Sequence, residues 1–191
     1  MTVKELWADK MSRIAAAEGY EYRDIRPPRP TVADVERCRK LCEENLCGCY
    51  DSNWGCPPGS GSMGECRRAL SIFGKAAVIY RRYDVRHDDK PTLKHISNDH
   101  QNLLREFNNL LRKEGYLSMV LADGGCNYCL KCTYPNQKCP FPDQKVCSVS
   151  GYGIMLMEYL EQFDIPFRFE DGAVTLHGLI LYNEPIADPK L

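Results

Sequence analysis

Apolar residues at Val3, Leu6, Trp7, Met11, Ile14 and Ala15 fall at i, i+3 and i+4 intervals. That spacing predicts an amphipathic helix over residues 3–18 whose apolar stripe covers a core. The proline-rich stretch RDIRPPRP at 23–30 breaks the pattern and reads as an extended connector. Thr31 or Asp34 can cap a helix running to about Asn45, with Cys38 and Cys42 four residues apart on one face. Glu65–Phe73 reads as a short helix and Ala76–Tyr83 as a strand, followed by a polar loop through Pro91. Leu103, Leu104, Phe107, Leu110 and Leu111 define a helix over 97–113 that Gly115 ends, and 116–122 is a second strand. Ile154, Leu156, Tyr159, Leu160 and Phe163 predict a helix over 152–163. Alternation on both sides of Asp171–Gly172 predicts a hairpin with strands at 166–170 and 173–182.

Helices and strands are mixed without strict βαβ repetition, so the expected fold is α+β. It is a single domain over 1–191, with flanking helices around a small, mostly antiparallel sheet built from 76–83, 116–122, 166–170 and 173–182. Two cysteine-rich loops, 38–66 and 124–142, are expected at one end of that sheet. The chain has 191 residues and is 43% hydrophobic, enough for one core. A net charge of −1 with both signs interspersed offers nothing to a phosphate backbone, so no nucleic acid partner is expected. Lys4, Glu5, Asp9 and Lys10 leave no apolar core for a signal peptide, and no run reaches the ~20 apolar residues of a membrane span.

Eleven cysteines change the picture. An exported disulfide scaffold would be shorter, even in count and led by a signal. A cytoplasmic location with free thiols is expected instead, and clustered free thiols mean metal. Oxygen would threaten such a site, so an anaerobic setting is expected too.

The stretch GGCNYCLKCTYPNQKCPFP, 124–142, sets Cys126, Cys129 and Cys132 at C-x2-C-x2-C and adds Cys139, followed by Pro140. Each two-residue gap lets the backbone wrap a common centre, and a Cys-Pro ends the wrap. This is the ligand logic of a bacterial [4Fe–4S] site, with a longer last gap. Zinc also accepts four thiolates but usually from two separated C-x2-C knuckles, so it is the less favoured metal. Six more cysteines lie between 38 and 66, where Gly48, Gly55, Gly59, Gly61 and Gly64 with Pro57 and Pro58 rule out regular structure. Such a loop lets backbone amides approach cluster sulfur. Cys42, Cys47, Cys56 and Cys66 form one possible second set, but spacing alone does not choose among the six.

The patterns CxxxxCGxYxxxWxCPPxxGxxxxC, from Cys42 to Cys66, and GGCxYCxxCTYPxxxCxxP, from Gly124 to Pro142, resemble the cysteine-rich, predicted metal-binding family called domain of unknown function 2284. The resemblance covers nearly the whole chain, including 148–153 and the VTLHGLILY end. It implies Cys42, Cys47, Cys56, Cys66, Cys126, Cys129, Cys132 and Cys139 as ligands, and it leaves Cys38, Cys49 and Cys147 outside. Eight ligands make two cubane clusters natural. Local grouping is favoured, but both Cys56 and Cys139 precede proline, and in two-cluster ferredoxins that cysteine serves the other cluster. An exchange of these two is the alternative.

Cys38 on a helix reads as a small buried hydrophobe. Cys49, in C-x-C with Cys47, reads as a spectator or substitute ligand, and Cys147 as a packing residue. His87, His95, His100 and His177 lack ligand spacing and read as surface or capping histidines. Tyr50, Trp54, Tyr128 and Tyr134 lie inside the loops and would shield a cluster from water. The function expected is low-potential electron transfer with a redox partner protein or metalloenzyme. An iron–sulfur enzyme or reductive activator with an open iron is the alternative, and a zinc-stabilised interaction module the second.

Overall fold

The computed structural model describes residues 6–167 and 170–185. Val3 of the predicted first helix, and residues 168 and 169 of the predicted 166–170 strand, lie outside these. The described chain is an α+β domain with a five-stranded, mostly antiparallel open sheet and five α-helices. In order these are α1 (Trp7–Ala17), β1 (Glu21–Ile25), α2 (Val32–Glu43), α3 (Met63–Ser71), β2 (Lys75–Tyr83), α4 (Lys90–Lys113), β3 (Leu117–Ala122), β4 (Cys147–Ser148), α5 (Leu156–Glu161) and β5 (Val174–Asn183). The strand order is β1-β2-β5-β3-β4, with only β3–β4 parallel.

Helices cover both faces of the sheet. Val78, Tyr80, Leu121, Leu179 and Leu181 point to a face covered by Leu70 and Phe73 from α3 and its end, and by Leu160 of α5. Their neighbours Ile79, Val120, Ile180 and Tyr182 point to the other, against Met11 and Ala15 of α1 and Leu103, Leu104, Phe107 and Leu111 of α4. Period-two alternation thus feeds two cores from the same three strands. Capping boxes start α2 (Thr31 with Asp34) and α3 (Ser62 with Glu65), each satisfying donors the helix itself leaves unpaired. No described helix is long and apolar enough to cross a membrane.

Several expectations need correction. Residues 23–25 belong to β1, paired in register from Glu21↔Tyr80 to Ile25↔Ala76. Only Ile25 of this edge strand is buried, so its sequence carries no alternation. The helix expected over 97–113 begins at Lys90, capped by the Asp89 carboxylate, because its polar first turns lie outside the apolar stripe. The 152–163 helix is interrupted: a 3-10 turn over Ser150–Tyr152 ends at Gly153, whose φ of 78° is left-handed, and α5 starts at Leu156. A Cβ at Gly153 would stand 2.3 Å from Val35 Cγ2. The Asp171–Gly172 turn closes only one bridge, Glu170↔Ala173. β5 instead lies between β2 and β3 at the centre of the sheet, and none of the described residues of the expected 166–170 partner is in the sheet's strands. The two-residue strand β4 was not predicted at all.

Candidate metal centre

The C-terminal cysteine loop begins where β3 ends. Asp123 anchors it, its carboxylate accepting the His177 backbone N–H of β5 at 2.8 Å. The polar side of α4 then holds the loop. Gln101 donates to the Gly125 carbonyl (2.8 Å) and accepts the Asn127 N–H (3.3 Å), while the Asn127 side chain donates to Asn98 (2.7 Å) and to the Ser97 carbonyl (3.2 Å).

Cys126, Cys129, Cys132 and Cys139 all line one cleft, with Trp54, Tyr128, Thr133, Pro140, Phe141 and Lys145. The cleft is narrow, with a cavity volume of ≈ 20 Å³. Burial pushes the Cys129 thiol pKa upward, and the nearby thiols of Cys126, Cys139 and Cys132 add to the shift, against Arg105. Yet among the described residues no three Cys, His, Asp or Glu side chains are grouped to hold a single metal ion. Tetrahedral zinc needs every sulfur about 2.3 Å from one point. A cubane instead gives each thiolate its own iron, so its ligands surround a larger centre. The structure sets four thiols on one cleft, the number that either centre requires.

Arg105 supplies a further test of fit. It is 5% exposed. Its guanidinium donates to the Gln144 carbonyl, Asn102 Oδ1, Gln101 Oε1 and Asn127 Oδ1 at 2.8–3.0 Å, and lies 5.1 Å from the Tyr128 ring centre. Every acceptor is neutral. A buried charge without a counter-charge is costly by several kcal/mol, so an anionic group beside Cys129 would suit this position. Sequence reading missed Arg105 and Gln101 because both interrupt the apolar stripe of α4 as ordinary polar residues.

The two loops meet through glycines. A Cβ on Gly55 would stand 2.8 Å from Cys126 Cβ, and one on Gly125 would stand 3.0 Å from Cys56 Sγ. The Gly55 carbonyl accepts the Ser148 N–H of β4 at 2.8 Å. Tyr134 donates to Asp51 (2.6 Å), Trp54 donates to the Gln137 carbonyl (3.1 Å), and the Trp54 and Tyr134 rings meet edge to face at 4.9 Å. Of the four loop aromatics, Trp54 and Tyr128 line the cleft, Tyr134 backs Trp54, and Tyr50 is tied through its N–H to Asn45.

The N-terminal cysteines are less gathered. Cys42, at the end of α2, neighbours Cys47; burial, then that neighbour, raises its thiol pKa. Cys56 is 4% exposed, and its thiol meets that of Cys49, whose sulfur also receives the Gly125 N–H. Of this touching pair the Cys49 thiol ionises more readily and the Cys56 thiol less. Cys66 is turned elsewhere: Arg39 donates to its sulfur at 3.5 Å, and the Ser60 carbonyl lies 3.6 Å away. Arg39 also binds the carbonyls of Gly61 and Gly151. The structure therefore links Cys42, Cys47, Cys49 and Cys56 in one run, with Cys49 between Cys47 and Cys56, and leaves Cys66 apart from it. Cys56 does not line the C-terminal cleft, whereas Cys139 does.

Cys38 is buried, its thiol 3.1 Å from Met155 Sδ and pushed up by burial to about 12. Cys147 is buried in the sheet core and raised to about 11, again by burial. All 11 cysteines are free. The reading of the histidines is corrected for two of them: His100 and His177 are each 1% exposed, on faces of α4 and β5 that pack on Tyr20 and Tyr80. His100 lies on the α4 stripe with Ile96, Leu103 and Leu104, and His177 alternates with Leu179 and Leu181, so the period marked both positions and only their polarity argued for the surface.

A family model described as "predicted metal-binding protein (DUF2284)" matches residues 29–182. No curated protein and no solved structure is significantly similar to the chain.

Proposed function

The chain belongs to the predicted metal-binding protein family DUF2284, and from that premise we propose that it holds two [4Fe–4S] clusters and passes single electrons between proteins. The observation that carries this reading is the set of four C-terminal thiols lining one cleft, beside a buried arginine with no counter-charge among the described residues. When bound, such a cluster supplies one-electron exchange at a potential set by net charge, hydrogen bonds to sulfur and solvent exposure.

The chain's own residues serve each of those controls. Cys126, Cys129, Cys132 and Cys139 would hold the C-terminal cluster, and their common cleft favours local grouping over an exchange of Cys56 and Cys139. Arg105 offsets negative charge there. Trp54, Tyr128 and Phe141 limit water. In the N-terminal loop, Cys42, Cys47 and Cys56 with Cys66 are the ligand set, and Cys49, against Cys56, is the substitute for Cys66. The Gly125 N–H and Arg39 lie ready to bond sulfur in that loop. A reducing cytosol keeps eleven thiols available for this role.

One observation favours a second reading. Because Cys66 faces Arg39 rather than the other thiols, an N-terminal cluster that Cys49 does not complete would be held by three cysteines and leave one iron open to substrate, as an enzyme or reductive activator needs. Anaerobically purified protein tests the shared premise. It should absorb broadly near ~400 nm and bleach with dithionite. A colourless protein holding stoichiometric zinc would overturn both readings.

A further inference from the structure

The two cysteine loops differ in charge. Residues 124–142 contain Lys131 and Lys138 and no acid, whereas residues 38–66 contain Glu43, Glu44, Asp51 and Glu65 against Arg39 and Lys40, with no base after Lys40. Lys131, Lys138, Glu43 and Glu44 are all exposed, and none of the four has an ion-pair partner among the described residues. Between Cys129 and Cys132, Leu130 projects fully into solvent, with Tyr128 and Phe141 about half exposed beside it and meeting edge to face at 5.2 Å. The acids that border this loop are largely engaged: Asp51 accepts the Tyr134 hydroxyl and Asp143 pairs with Arg112, while Glu106 lies near Tyr128. An exposed leucine with two half-exposed aromatic rings in the same loop is a contact surface, and two unpaired lysines in that loop select what covers it.

We propose that the tip of the C-terminal loop is the docking surface for an acidic one-electron carrier protein. Leu130, Tyr128 and Phe141 form the apolar contact, and Lys131 and Lys138 steer the carrier's carboxylates toward it. The acidic N-terminal loop turns the same carrier away, so exchange is directed to the C-terminal centre. The inference rests on the iron–sulfur reading. In the step itself one electron leaves the reduced carrier, which is oxidised, and the loaded chain is reduced by one; no bond breaks.

The test uses the full chain loaded with iron and sulfide, and a plant-type [2Fe–2S] ferredoxin as the acidic carrier. Stopped-flow absorbance follows electron exchange in the direction the two potentials favour. In low salt the K131E/K138E double variant should exchange about tenfold more slowly than the parent, and added salt should erase the difference. L130S should slow exchange at any salt. E43K/E44K should not slow it. Each variant must keep the parent's visible spectrum and its rate of reduction by dithionite, which separates docking from cluster loss. If no spectrum develops on loading, the iron–sulfur reading has failed instead. Equal rates in the parent and K131E/K138E, or equal slowing by both charge reversals, would overturn the docking surface. So would a salt-sensitive dimer lost in K131E/K138E, which would give this surface to the acidic loop of a second copy.

Discussion

Arg105 carries a positive charge into a place where, among the described residues, neutral groups accept its hydrogen bonds. Near a cluster, that charge favours the reduced and more negative form. Arg105→Met should therefore shift the midpoint potential of the loaded chain to more negative values, and Arg105→Lys should restore part of the shift; spectroelectrochemical titration reads both. An unchanged potential in Arg105→Met would remove Arg105 from the centre. His100 makes a separate prediction about stability. Burial lowers its pKa from 6.5, against the opposing pull of Asp123, and neither ring nitrogen has a hydrogen-bond partner among the described side chains. The unfolded chain thus takes up a proton that the folded chain resists, and stability present above about pH 6.5 is lost as pH falls toward the depressed folded value. Urea unfolding at pH 7.5 and 5.5 should show that loss in the parent and less of it in His100→Phe. Cysteines were the most legible residues in the sequence, because spacing alone announced the C-terminal four. Arg105 was not legible, and only polarity argued for His100 at the surface, although it keeps the apolar period of Ile96, Leu103 and Leu104.

At the scale of elements, capping residues and apolar periods located all five helices approximately, and β2, β3 and β5. What escaped had its cause in tertiary pairing. β1 is an edge strand with one buried residue, β4 is two residues long, and β5 pairs with distant strands in place of its sequence neighbour. Gly153 shows the same limit within a single helix prediction. Apolar spacing continued through it, yet the chain turns left-handed there to pass Val35. Gly153→Ala should destabilise the fold by about 1–3 kcal/mol or more, from φ strain and the Val35 clash together, measured by chemical denaturation of the metal-free chain. A change within ~0.5 kcal/mol, as for an ordinary surface substitution, would contradict that packing.

In the whole molecule, the sheet with its two helical layers sets the distant loops side by side, through Gly55 against Cys126 and Gly125 against Cys56. The sequence indicated that two cysteine loops existed; their junction depended on β4, whose Ser148 bonds Gly55 and which no local pattern revealed. Which thiols share a cleft was likewise illegible in spacing, since both Cys-Pro pairs look alike; the structure sets Cys139, and not Cys56, on the cleft with Cys126, Cys129 and Cys132. The central claim is that the C-terminal four hold a cluster of their own. Iron and acid-labile sulfide, measured side by side on anaerobic parent and Cys129→Ala protein, test it most directly. The expected result is about eight of each per parent chain, as two four-iron clusters require, and about half that in the variant. Zinc without sulfide in the parent, or the same iron in both proteins, would contradict the account.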